Sequence, residues 1–285
     1  MRIGVRAHDF GKLSADALAE RVASKGLACI QLTLHEAIEG MRNAPGRLNP
    51  GMAYCIGEAF RKRGIQIAVL SCYINPIHPD VDERKRQVGL FKEHLRFVRD
   101  FGCAVVATET GSVNLDFSFH PRNHSEESFQ VMLQSLSAIV EEAERFGVLV
   151  AVEGVANFVA CDPGKIRRML DSIASNNLQI LFDPVNLLTP ENYPRCDALI
   201  EESFALFGDR IVAVHAKDFR MDGGRMVSVP LGQGLMNYRL LLQHLAARKP
   251  HMNVIIEDTD LKTIGGSIRH LTDIYSTVLS QPPST

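Results

Sequence analysis

Residues 148–154 read VLVAVEG, 178–184 LQILFDP, 211–217 IVAVHAK and 253–259 NVIIEDT. Each is a short apolar run with β-branched residues, the pattern of a strand buried on both faces in a parallel sheet. Each ends in one polar residue: Glu153, Asp183, His215 and Glu257 in turn. If the four strands stand side by side in a closed barrel, these side chains converge at one mouth. Two glutamates, an aspartate and an imidazole form an oxygen-rich donor set suited to a divalent Mn, Mg, Co or Zn ion.

The same alternation extends along the chain. Strands are expected at 2–7, 28–32, 66–71, 104–108, 149–152, 179–182, 211–214 and 253–256. Amphipathic helical stretches fall at 14–25, 50–63, 81–101, 126–146, 163–175, 197–207, 238–248 and 262–279. Ser14, Ser125 and Asp162 stand where N-caps belong, the last followed by Pro163 in the first turn. Gly26, Gly64, Gly102 and Gly147 follow helical patterns, where a left-handed residue closes a helix. Eight such units predict an α/β fold, a single-domain (β/α)8 TIM barrel over residues 1–285. The rival is an open doubly wound sheet, which normally carries a glycine-rich phosphate loop after its first strand. Residues 6–14, RAHDFGKLS, contain no such loop. QPPST at 281–285 reads as a frayed end.

Of 285 residues, 46% are hydrophobic, enough for one large core. The formal net charge of −2 gives no footprint for nucleic acid. No apolar run reaches the roughly 20 residues of a membrane span, and no signal peptide is apparent. The six cysteines lack CxxC spacing and read as reduced thiols of a cytoplasmic protein.

VAVEG at 150–154, LFDPVN at 181–186, VHAKD at 214–218, IIED at 255–258 and VPLGQGLMNYRLLLQHL at 229–245 carry a resemblance. Together they resemble the xylose isomerase-like barrel superfamily. The nearer likeness is to its sugar phosphate isomerase/epimerase group, with ketose 3-epimerases, hydroxypyruvate isomerases and inosose dehydratases. The resemblance implies that Glu153, Asp183, His215 and Glu257 bind one catalytic metal. It implies further that Glu153 and Glu257 are the acid/base pair, acting on a sugar or polyol. It also implies possible homo-oligomers.

Other polar residues are candidates for substrate contact. Lys217 follows His215 in a His-x-Lys-Asp pattern resembling dehydratase-like members, and Glu109 ends strand four. Asn186 stands where some family members carry a second histidine. Arg220, His8, Asn75 and His78 complete the set, each with a rim ion pair or a solvated role as its plain alternative. His120 and His124 are expected to decorate a surface lid. The expected function is a metal-dependent isomerase or epimerase working by proton transfer beside a carbonyl. An inosose dehydratase-like lyase is the alternative, followed by a non-catalytic sugar-binding barrel or an abasic-site endonuclease. The last is disfavoured because Asn186 and RMVSVP, 225–230, stand where extra histidines would be needed.

Overall fold

The computed structural model describes residues 1–280; residues 281–285, the QPPST segment, lie outside the described residues. The strands are β1 (Arg2–Arg6), β2 (Cys29–Thr33), β3 (Gln66–Ser71), β4 (Val105–Glu109), β5 (Leu149–Glu153), β6 (Leu178–Phe182), β7 (Ile211–Ala216), β8 (Asp218–Asp222), β9 (Arg225–Val229) and β10 (Asn253–Ile256). Eight of them form a closed parallel barrel in the order β1, β10, β7, β6, β5, β4, β3, β2. The helices are α1 (Ala15–Ala23), the short α2 (Leu34–Ala37), α3 (Pro50–Arg61), α4 (Val81–Phe97), α5 (Glu126–Phe146), α6 (Pro163–Ile173), α7 (Cys196–Phe207), α8 (Tyr238–Arg248) and α9 (Ile264–Ser280). The expected (β/α)8 barrel is the fold.

Local chemistry sets the helix ends as the sequence suggests. Ser14 accepts from the Ala17 N–H, Ser125 from Ser128 and Asp162 from Lys165, so each satisfies a first-turn donor. Gly26, Gly64, Gly102 and Gly147 all hold positive φ.

One element departs from expectation. Residues 218–229 form an antiparallel hairpin, β8 with β9, between the seventh and eighth barrel strands. Gly223 and Gly224 occupy its tip with φ of 54° and 79°. Positive φ at both central residues is what a two-residue type I′ turn demands, and two glycines meet it without steric cost.

The barrel interior explains the site. Cys29, Val69, Ala107, Ala151, Leu181, Ala213 and Ile255, one from each of seven strands, pack with Ala68 as a small apolar cluster inside the ring. Side chains two residues apart on a strand share a face. Two residues further on, the same inward face carries Gln31, Ser71, Glu109, Glu153, Asp183, His215 and Glu257. In β1 the corresponding step leads from Gly4, beside Cys29 and Ile255, to Arg6. A polar layer thus caps an apolar one at the carboxyl ends of the strands, where barrel enzymes place their chemistry.

Candidate metal centre

His215 lies at the middle of the polar layer and is fully buried. Its Nδ1 stands 3.1 Å from Glu153 Oε1, 3.2 Å from Glu257 Oε1 and 3.9 Å from Asp183 Oδ2. Its other nitrogen, Nε2, hydrogen-bonds to Oε1 of Gln31. Asp183 follows β6 in a tight turn and accepts through Oδ1 from the N–H groups of Val185, at 2.8 Å, and Asn186, at 3.0 Å. Its Oδ2 is buried and has no hydrogen-bond partner among the described residues. Lys217 Nζ lies 2.9 Å from that oxygen, an ion-pair distance without hydrogen-bond alignment.

Glu257 follows β10 where the chain turns sharply: the next residue, Asp258, has φ of 51°. A left-handed Asp is tolerated better than most side chains. Glu257 meets Lys217 Nζ at 3.3 Å and Arg6 Nη1 at 3.6 Å. Arg6 also pairs with Asp9 at 3.0 Å and Asp258 at 3.2 Å, so the first and last barrel strands are tied at the rim.

Asn186 joins the two halves of the site. Its Nδ2 donates to Glu153 Oε1 at 2.6 Å, and its Oδ1 accepts from Lys217 Nζ at 2.6 Å. The departure to asparagine therefore leaves a residue that orients both a carboxylate and the site's lysine.

The electrostatics follow from crowding buried charges. Burial opposes protonation of His215, but Glu257, Glu153 and Asp183 together outweigh it and lift its pKa to about 9. Burial likewise opposes ionisation of Glu257, yet His215, Lys217 and Arg6 hold its carboxyl well below the usual range. For Asp183 burial prevails over Lys217, and its pKa is raised. Glu109, beside Glu153 across the β4–β5 register, is pushed up to about 8 by burial and then by Glu153 and Glu257. Lys217 stays charged: its surrounding carboxylates, Asp183 first, overcome its burial.

The donor set fits a divalent cation. Ligand atoms of Glu153, Asp183 and His215 lie within 4.8 Å of one another, and His215 Nδ1 stands 3.1 Å and 3.9 Å from the two carboxylates, separations that two metal–ligand bonds of about 2 Å span. Asp183 Oδ2 is an orphaned acceptor, and Glu257 stands beside the trio as a fourth donor, the third through oxygen.

The remaining candidates divide. Lys217 and Asn186 belong to the cluster and line a cavity of about 760 Å³ at the mouth, with Phe119, Leu188, Phe219 and Arg225. Arg220 is 59% exposed on the hairpin and pairs with Asp222, so the structure does not bring it to the cluster. Asn75 is buried with its amide engaged by loop backbone, donating to Ser112 O and accepting from Ile77 N–H; it clamps loops. His78 accepts from Asp80 N–H and lines a separate cavity with Leu115 and Phe117. His8 packs at the rim with Nδ1 3.3 Å from Glu36. His120 caps a short turn, and His124 bonds to Ala156 O beside the mouth.

Residues that sequence reasoning missed are Gln31, Ser71 and Tyr73, which support His215, and Arg6, which holds Glu257. For Gln31 and Ser71 the available signal was parity: each lies two positions beyond an apolar residue of its strand, Cys29 and Val69. The VPLGQG segment has a structural explanation in Asp218. Asp218 Oδ2 accepts from the N–H groups of Gly232 and Gly234, and Oδ1 from Phe219 and Met236.

The cluster sits at the mouth of the barrel, and its donors suit a metal ion. The chain belongs to the xylose isomerase-like TIM barrel family, whose model matches residues 19–274. An uncharacterized protein of Methanocaldococcus jannaschii, MJ1311, is 26% identical over 175 residues, 60% of this chain. The match spans 56% of that protein's length. Among solved structures, a D-tagatose 3-epimerase-like protein superimposes with a TM-score of 0.77 at 20% identity, covering 98% of each chain. The IOLI protein with a bound zinc atom gives 0.75 at 16% identity, over 99% of this chain and 100% of that one. The probable 3-DHS dehydratase AsbF of Bacillus anthracis gives 0.73 at 16%, over 95% and 99%. At these identities the likeness is one of fold.

Proposed function

We propose that this chain is a divalent-metal-dependent isomerase or epimerase of a sugar or sugar phosphate, acting by proton transfer beside a carbonyl. The observation that carries the reading is His215 Nδ1, aimed at three strand-end carboxylates. Glu153, Asp183, His215 and Glu257 would hold the cation. Bound there, it supplies Lewis-acid polarisation of the substrate's carbonyl, worth several kcal/mol.

The protein's own groups do the rest. Glu153 and Glu257 rise from strands separated by β6 and β7, so they face a substrate from two sides. One carboxylate takes the proton next to the carbonyl and the other returns one. Return to the opposite face of the same carbon is epimerisation; return to the adjoining carbon is isomerisation. Asn186 orients Glu153, and Lys217 offers an ammonium to a substrate oxygen. Phe119, Leu188 and Phe219 give the mouth cavity apolar walls that restrict water.

A second reading, a dehydratase of a cyclic polyol ketone, is favoured by one feature. Lys217 Nζ, 3.3 Å from Glu257 Oε2, is placed to protonate a departing β-hydroxyl. The test is incubation of chelator-stripped, metal-restored protein with ketoses and inososes in D2O. Deuterium at the carbon beside the carbonyl is the expected result. Growing enone absorbance without exchange into recovered substrate supports the lyase, and neither signal with any substrate overturns both readings.

A further inference from the structure

We propose that Gln31 is a positioning residue that fixes the hydrogen of His215 on Nε2 and so presents Nδ1 to a metal ion. The inference rests on the metal-centre reading above and deepens it. Gln31 sits in β2 between Ile30 and Leu32 and is 0% exposed. A primary amide buried among apolar strands is costly unless its donors and acceptor are all engaged. Here they are. Nε2 donates to Ser71 Oγ at 2.8 Å and to Tyr73 Oη at 2.9 Å, and Oε1 faces His215 Nε2.

The amide's direction decides the imidazole's form. An amide oxygen only accepts, so His215 Nε2 must carry hydrogen to bond with it. The neutral ring then leaves its lone pair on Nδ1, the nitrogen that faces Glu153, Asp183 and Glu257. The reverse amide orientation would put N–H against Nε2 and drive the hydrogen onto Nδ1, where it would block a cation. In the observed orientation the amide nitrogen's two hydrogens go to Ser71 Oγ and Tyr73 Oη, which leaves Oε1 for His215. Gln31 is a fully buried member of the polar layer whose oxygen meets His215, so it acts through His215. An outer hydrogen bond of this kind sets the tautomer and basicity of a ligating histidine.

The test uses zinc alone, the full chain and histidine labelled with 15N. In zinc-loaded wild-type protein, His215 is expected to show a metal-bound Nδ1 and a protonated Nε2. Gln31→Leu is expected to lower zinc affinity roughly 10–100-fold in a competition titration. Gln31→Glu, which restores an acceptor for Nε2–H, should keep affinity near wild type, an outcome that loss of packing alone would not give. Equal affinity in wild type and Gln31→Leu overturns the proposal while leaving the metal centre intact. So does a zinc-loaded His215 with hydrogen on Nδ1, a reading taken on wild-type protein and independent of how the variants fold. If wild-type protein takes up no zinc, the metal centre itself falls, and the role of Gln31 with it.

Discussion

Lys217 and Asp183 face each other at the carboxyl ends of the barrel strands, with Nζ 2.9 Å from an Oδ2 that no hydrogen bond satisfies. In the metal-free protein the ammonium is nearer Asp183 than the His215 ring is, at 2.9 Å against 3.9 Å. Removing it leaves two buried carboxylates less compensated. Breaking a buried pair costs about 3 kcal/mol or more. Lys217→Met should therefore lower the melting temperature of metal-free protein, and zinc should raise Tm more in the variant than in wild type. Equal thermal shifts would show that Lys217 carries no such load.

Glu109 makes stability depend on pH. Its folded pKa is raised to about 8 from an ordinary 4.5, with burial the first cause and Glu153 and Glu257 adding to it. A raised carboxyl means the folded state holds the proton more tightly than the unfolded state. Its effect is absent below the unfolded value, and stability falls as pH rises from about 4.5 to 8. Glu109→Gln should stabilise metal-free protein at pH 8 and change little at pH 4, as read by denaturant unfolding at both.

Metal affinity should climb with pH. His215, held at about 9 without metal, must lose its Nδ1 proton before that nitrogen can ligate. Between pH 6 and 9, log affinity should rise by up to about one unit per pH unit. Titration calorimetry in buffers of differing ionisation enthalpy should show proton release over that window.

Asp218 anchors the loop that follows the hairpin. Its four backbone N–H bonds include those of Gly232 and Gly234. Asp218→Asn turns an amide N–H toward donors, and losing these acceptors should cost about 3 kcal/mol. At Gly234 an added Cβ would lie 2.2 Å from Asp218 Oδ1 and 2.4 Å from Phe219 O. Gly234→Ala should therefore loosen the same loop, seen as faster proteolysis around 230–236.

Much of the fold could be read from residue pattern because the barrel strands are mostly apolar runs and helices such as α1, α5 and α6 begin on a side-chain cap. The four carboxyl-end residues stood out for the same reason: a charge directly after an apolar run is conspicuous. Gln31 and Ser71 did not stand out, because which face a single polar residue in a run occupies depends on strands distant in sequence. Arg6 meets Glu257 only because β1 and β10 close the ring. The hairpin had a readable signal in Gly223-Gly224, and missing it misplaced Arg220. Strand alternation there buries Phe219 and turns Arg220 to solvent.

Glu153, Asp183, His215 and Glu257 are proposed to hold one cation between them. The most direct test is zinc titration of chelator-stripped wild-type protein beside Asp183→Asn, with folding checked by circular dichroism. A single tight site is expected in wild type, weakened at least roughly 10-fold in the folded variant. Failure of wild-type protein to bind, or equal binding by Asp183→Asn, would contradict that proposal.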